Sequence, residues 1–284
     1  MHDRLGDRRK NHRMNTKKLI VSDIDGTLLR SDKHISFVTK QRIFDLIYKG
    51  HLFAIATGRM HGAGKIITTE LDYDGFLISC NGAVVKHLKT GEVIQAIELA
   101  PELAKQVVDV CEQYGAYYHL YDIEAIYASR YANLAQKYAE GMPALPEGYH
   151  FTVAFPEDLP AMVGQVPIYK IGLYHEDPET FSAVMKALQK IEGLETCKSL
   201  DTSFDVMAKG VTKATGIEAI RAYYDIPLEH VIAFGDNEND MDMISYAGVG
   251  VAMGNAMEEL KAAADFVTVT NDEDGLVYAL DRLL

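Results

Sequence analysis

The chain has 284 residues, enough for one large or two modest domains with a sizeable buried core. Its apolar fraction of 48% and charged fraction of 24% are those of an ordinary soluble globular protein, and no apolar run approaches membrane-spanning length. A formal net charge of −13 argues against general nucleic-acid affinity, so an anionic ligand would need a metal or local donors to hold it.

Residues 1–16 carry Arg4, Arg8, Arg9, Lys10 and Arg13 against Asp3 and Asp7, with almost no apolar content. No apolar stretch follows that would make a secretory signal, so the segment reads as a short, disordered basic tail without assigned function. From Leu19 onward apolar strands alternate with amphipathic helical stretches. Leu19 to Ser22 reads as a strand, and Ser36 can cap a helix that runs to Lys49 and ends at Gly50. His51 to Ala56 is a second strand, Met60 to Leu71 a helix, and Phe76 to Ser79 a third strand ending at Asn81-Gly82. Nearly all-apolar strands joined by helices indicate a parallel sheet covered on both faces.

The stretch from Val84 to Leu200 has another texture. Val84 to Lys86 and Val93 to Ile97 flank a turn at Lys89-Thr90-Gly91-Glu92, a hairpin signature. Helical patterns at Pro101 to Tyr114 and Pro178 to Lys190 alternate with strand-like Tyr117 to Tyr121, Phe151 to Phe155 and Ile168 to Tyr174. Prolines break the middle into short pieces, and tyrosines crowd the segment. This reads as an α+β module, one sheet with helices on a single face. The βα rhythm then returns, with a helix at Thr212 to Tyr224, a strand at Val231 to Phe234 and a helix at Asn239 to Tyr246. It continues through Val249 to Met253, Ala256 to Ala264, Phe266 to Val269 and Asp274 to Leu283. The expected organisation is α/β: a doubly wound, Rossmann-like parallel-sheet core from residues 17–83 and 201–284, split by an inserted cap over 84–200. Cys80, Cys111 and Cys197 are scattered, without disulfide or zinc spacing, which suits a reducing cytoplasm.

Four segments carry chemistry. Asp23-Ile24-Asp25-Gly26-Thr27 sits where the first strand runs out. Its two carboxylates point to one side of an extended segment, and paired acids beside a core strand are costly unless a cation or catalysis uses them. Thr57-Gly58-Arg59 follows the second strand, where a hydroxyl and free amides can hold a phosphoryl oxygen; alone it would pass for an N-cap. Lys213 opens a helix, where the macrodipole disfavours a cation, so an anionic partner is expected. Asp236, Asn239 and Asp240 share one face of a helix start directly after a buried strand, a cluster larger than capping requires.

Together these segments resemble the haloacid dehalogenase superfamily of phosphohydrolases. Asn81-Gly82, with the insert following the third strand, is similar to the Cof-like branch, which has a large α/β (type IIB) cap. The resemblance implies that Asp23 attacks phosphorus to form an aspartyl-phosphate and that Asp25 serves as acid, then base. It implies Mg2+ held by the Asp23 carboxylate, the Asp25 backbone carbonyl and Asp236, since a hard octahedral cation takes few carboxylates. Thr57 and Lys213 would bind the phosphoryl oxygens, with Asn239 adding a hydrogen bond. Asp240 would orient Lys213, while Gly58, Arg59 and Asn81 would meet the phosphoryl group or the substrate. The implied substrate is a small phosphorylated metabolite, sugar phosphates first, chosen by the cap. A phosphomutase would use the same Asp23 intermediate, and a phospho-acceptor signalling domain pairs similar residues on a similar sheet but lacks a large insert. A P-loop nucleotide binder is set aside, because Gly-x-x-x-x-Gly-Lys-[Ser/Thr] does not occur.

Overall fold

Leu19–Ser22 form strand β1, and all four residues are buried. The structure is a computed structural model that describes residues 17–200 and 202–284; the expected basic tail, residues 1–16, lies outside the described residues. After β1 come helix α1 (Phe37–Tyr48), β2 (Leu52–Ala56), a short α2 (His61–Lys65), β3 (Phe76–Ser79), β4 (Val84–His87) and β5 (Val93–Ala96). Ser36 caps α1 by accepting from the Thr39 amide, as its position predicts. The helix expected from Met60 to Leu71 is cut short at Lys65 and continues as a 3₁₀ turn over Ile66–Thr69. There the Thr68 and Thr69 hydroxyls donate to the carbonyls of Lys65 and Ile66, an alternative to the regular ladder.

The middle of the chain forms α3 (Pro101–Tyr114), β6 (Tyr117–Tyr121), β7 (Ala125–Ala128), α4 (Asn133–Gly141), β8 (Thr152–Ala154) and β9 (Lys170–Tyr174). It ends in α5 (Pro178–Leu188), β10 (Leu194–Leu200) and β11 (Ser203–Ala208). The last part adds α6 (Lys213–Tyr223), β12 (Val231–Gly235), α7 (Met241–Tyr246), β13 (Val249–Ala252), α8 (Glu258–Ala263), β14 (Phe266–Val267) and α9 (Gly275–Leu283).

These strands make two sheets. The first has the order β14-β13-β12-β1-β2-β3-β4-β5 and is parallel from β14 to β3, as expected of a doubly wound core. The hairpin β4–β5, expected to open the insert, instead extends this sheet in antiparallel fashion. The cause is local: Cys80, Asn81 and Gly82 all have positive φ (50°, 53° and 106°), so the chain reverses at once and β4 pairs with β3. Gly82 is required there, because a Cβ would come within 1.9 Å of the Thr212 carbonyl at the start of α6.

The second sheet has the order β10-β11-β9-β6-β7-β8, antiparallel apart from β7–β8. Strand alternation splits its residues between two faces. Tyr118 and Leu120 bury against Val107 and Val108 of α3 and Val184 and Leu188 of α5, while Tyr117 and Tyr121 bury with Met60, Cys80 and Val84 of the first unit. Because β10 and β11 form one hairpin of this second sheet, the boundary expected at 200/201 falls inside it. We propose that the inserted cap spans residues 98–209 rather than 84–200.

Chain direction places the site. From β1 the chain winds outward through β2 and β3 on one side; from β12 it winds through β13 and β14 on the other. The carboxyl ends of β1 and β12 therefore border the crevice of a topological switch point, where open α/β sheets bind ligands.

Candidate active site

Asp23 is the first residue beyond β1, and its amide donates to the Phe234 carbonyl of β12 at 3.0 Å, extending the parallel pairing by one step. That bond leaves the carboxylate at the crevice, 7% exposed. Asp236 follows β12 in the neighbouring position, and its Oδ1 accepts from the Thr27 hydroxyl at 2.8 Å. Between them the chain turns at Gly26 (φ +84°), where a Cβ would lie 2.4 Å from Asp236 Oδ2.

Lys213, the first residue of α6, is 1% exposed and donates to Asp23 Oδ1 and Asp240 Oδ1, both at 2.6 Å. The anionic partners expected from its position at a helix start are therefore these two side chains. Asp240 is fully buried, and its Oδ2 accepts from the amides of Asp236 (2.9 Å) and Asn237 (3.1 Å). One carboxylate thus contacts Lys213 and folds the loop that carries Asp236.

Carboxylate oxygens of Asp23, Asp236 and Asp240 lie within 4.8 Å of one another, the one such acidic or His/Cys cluster among the described residues. Burial pushes the Asp23 carboxyl up to about 8 against the pull of Lys213, and Asp240 and Asp236 add to the rise. Burial, then Asp240, raises Asp236 to about 6. Burial opposes charge on Lys213, but Asp23 and Asp240 hold its ammonium above the ordinary lysine range. Three close acids facing one ammonium are under-neutralised, and a divalent cation is the chemistry this donor set fits. Asp240 already spends both oxygens on protein donors. Among the described residues, Asp23 and Asp236 each keep one oxygen without a hydrogen bond.

Thr57 follows β2, 3% exposed, with its amide on the Ile78 carbonyl and its Oγ1 accepting from the Arg59 amide at 3.2 Å. Arg59 does not reach for an anion of its own in the crevice: its Nη2 donates to Asp25 Oδ2 at 2.5 Å. The Asp25 side chain is 47% exposed, so it meets water far more than Asp23 does. Asn81 is buried in the turn after β3. Its amide donates to the Thr57 carbonyl and its Nδ2 to Asp205 Oδ2 at 3.0 Å, and its Oδ1 has no hydrogen-bond partner among the described residues. Asn239, half-buried, lines a cavity of about 270 Å³ together with Asn81 and Lys213, under β10 and β11; Glu195, Glu238 and Asp242 stand in its other walls.

All the residues singled out in the sequence therefore meet at the ends of β1, β2, β3 and β12. Two that sequence reasoning missed also reach the site. Lys170, at the start of β9, and Asp205, within β11, are the single charges of largely apolar strands, and that mismatch was the available signal.

The model of the haloacid dehalogenase-like hydrolases matches residues 20–280, almost the whole described chain. The chain belongs to this family. It is a haloacid dehalogenase phosphatase of the Cof-like branch, acting on phosphorylated substrates. It is 30% identical to the 5-amino-6-(5-phospho-D-ribitylamino)uracil phosphatase YitU of Bacillus subtilis, over 94% of this chain and 98% of that protein. It is 29% identical to the phosphatase YwpJ of the same organism, over 94% and 100%. A haloacid dehalogenase-like hydrolase from B. subtilis superposes with a TM-score of 0.82 at 27% identity, covering 94% of this chain and all of that one. The subclass IIB sugar phosphatase BT4131 does so at 0.76 and 28%, covering 94% and 99%. A divalent metal is typical of the family, and the acidic cluster offers a place for it. No helix among the described residues is long and apolar enough to cross a membrane.

Proposed function

We propose that the protein is a Mg2+-dependent phosphatase that hydrolyses monophosphates of sugars or polyols through an aspartyl-phosphate on Asp23. The supporting observation is the buried Asp23–Lys213–Asp240 chain of 2.6 Å contacts set beside Asp236 at the switch point. Lys213 engages Oδ1 of Asp23, which leaves Oδ2 as the nucleophile. Oδ2 attacks phosphorus as the ester P–O bond breaks, and Asp25 donates a proton to the leaving oxygen. Its half-exposed carboxylate, steadied by Arg59, then takes a proton from the water that attacks the phosphorylated Asp23, releasing phosphate and restoring both acids. Thr57, Lys213 and Asn239 bear on the equatorial oxygens, where charge is spread in the transition state.

Asp236, the Asp25 backbone carbonyl and Asp23 through Oδ1, the oxygen that does not attack, would hold the Mg2+, whose oxygen preference suits that set. Bound there, it supplies charge that offsets repulsion between a carboxylate nucleophile and an anionic phosphate. Gly26→Ala tests this arrangement, since the added methyl must push Asp236 aside and the backbone at φ +84° resists any L side chain. Its half-saturating Mg2+ concentration should rise about 10-fold or more, by analogy with disturbed metal-ligand supports; an unchanged titration would remove Asp236 from the ligand set.

The acids around the cavity oppose a second phosphate or carboxylate on the substrate, which favours a neutral, hydroxyl-bearing leaving group. They also disfavour the bisphosphate activator that a phosphomutase would need. Two relatives agree in kind, since one acts on a phosphorylated ribityl compound and another is named a sugar phosphatase. The deciding assay is phosphate release from a panel of sugar and polyol monophosphates, bisphosphates and p-nitrophenyl phosphate, with and without a chelator. Mg2+-dependent release that ranks sugar and polyol monophosphates above bisphosphates is expected. Bisphosphate-activated isomerisation would establish the mutase, and stable phosphorylation of Asp23 without turnover the signalling domain.

A further inference from the structure

Lys170 and Asp205 belong to the cap sheet yet are only 3% and 7% exposed, buried where the cap meets the first unit. Gly172 pairs with Asp205, so Lys170, two residues away on β9, shares its face. Lys170 Nζ donates to Asp205 Oδ2 at 2.8 Å and, across the interface, to the Gly58 carbonyl at 2.6 Å; it also lies 4.5 Å from the centre of the Tyr121 ring. Asp205 Oδ2 in turn accepts from Asn81 Nδ2 at 3.0 Å. One ion pair of the cap thus grips both loops that follow β2 and β3.

The grip on Gly58 has a consequence for Thr57. The peptide unit from Gly58 to Arg59 is planar, so its C=O and N–H are fixed as one body. Lys170 holds the carbonyl end, and Thr57 Oγ1 holds the amide end by accepting from Arg59. The Thr57 amide and carbonyl are already used by Ile78 and Asn81. Its hydroxyl hydrogen remains, and the clamped peptide directs it away from the Arg59 amide. A buried lysine–aspartate pair is a poor device for stability alone, since an apolar pair of similar volume often serves as well. What the pair provides here is a fixed position.

We propose that Lys170 is a positioning residue: with the cap closed, its ammonium orients the Gly58–Arg59 peptide and so sets the Thr57 hydroxyl for the phosphoryl group, while Asp205 holds Lys170 in place. This rests on the reading of Thr57 as a phosphoryl ligand. Cap closure and assembly of the phosphate site are then one event, which keeps the loop unassembled until substrate is enclosed.

A double-mutant cycle tests it. Lys170→Met, Thr57→Ala and the double variant are compared by KM and kcat for p-nitrophenyl phosphate and by inhibition constant for inorganic phosphate, in saturating Mg2+. Lys170→Met should weaken phosphate inhibition and lower kcat/KM about 10-fold or more, with Lys170→Arg recovering most of the loss. In the Thr57→Ala background the same substitution should cost almost nothing. An equal cost in both backgrounds, or none in the wild type, would overturn the proposal and leave Lys170 a packing residue. Thr57→Ala with wild-type kinetics would instead remove the role of Thr57 on which the proposal stands. Lys170→Gln, which keeps a donor without the charge, carries the same cycle should Lys170→Met fail to fold.

Discussion

Asp23→Asn is expected to lower phosphate release by about 10⁴-fold or more, the scale seen when a covalent nucleophile is removed. The fold should survive. Asparagine has the shape of aspartate, its Oδ1 can still accept from Lys213, and Lys213 keeps its 2.6 Å contact to Asp240. Removing one of three crowded acids also relieves repulsion when no cation is bound. The melting temperature in a chelator should therefore match or exceed that of the wild type to within about 3 °C, roughly 1 kcal/mol for a chain of this size. Purified variant that releases phosphate at the wild-type rate would eliminate Asp23 as the nucleophile. Inactivity accompanied by loss of the cooperative transition would show only that the substitution unfolds the protein.

The sequence shows the core well because its information is local. β1 and β3 lie where apolar runs predict them, and α3 and β6 keep their expected limits. Asp23, Thr57 and Asp236 were legible because each stands within two residues of the end of such a run, where the sheet must deliver it to the crevice. The hairpin β4–β5 was legible as a hairpin but not as part of the core. Alternating residues specify which two strands pair, yet the choice of sheet was made upstream, by the positive φ of Cys80 and Asn81. Asn81-Gly82 announces a turn there, but not that the next strand stays on the same sheet. β7 and α4 escaped notice for a related reason. β7 is only Ala125–Ala128, and α4 opens at Asn133 in a left-handed conformation without a capping side chain.

The contacts of Lys170 were illegible for another reason: they span 112 positions to Gly58 and 35 to Asp205, and no period or cap encodes such a meeting. A lone charge inside an apolar strand marks only that some partner must exist. Arg59 shows the converse limit. Its place in the Thr57-Gly58-Arg59 segment pointed toward the phosphoryl group, but its guanidinium ends on the Asp25 carboxylate at the same crevice. Position along the chain fixed where that side chain starts, and packing fixed where it ends.

Lys213→Met should have the largest effect on stability, because it leaves Asp23 and Asp240 buried with no counter-charge. Breaking a buried pair by removing one partner costs about 3–5 kcal/mol, and here one ammonium serves two carboxylates. Activity should fall by about 10²–10³-fold or more as well, since a fixed cation at the phosphoryl oxygens is lost. The pH dependence separates this cause from simple loss of packing. In the wild-type protein burial already lifts the Asp23 carboxyl from 3.8 to about 8, and Lys213 is the chief influence holding it down. A carboxyl raised in the folded state binds its proton more tightly there than in the unfolded chain. Its contribution is therefore present at low pH and is lost as pH climbs through the folded value. Without Lys213 that value rises further, so the two folded proteins differ in bound protons only above about pH 8, and the deficit against wild type should widen as pH climbs past it. Below that value Asp23 keeps its proton inside the fold in both proteins, and the deficit should hold level. Urea midpoints of both proteins in a chelator, measured on both sides of about pH 8, give the comparison. A gap that stays constant with pH would mean that the lost lysine stem, and not the stranded charges, destabilises the variant.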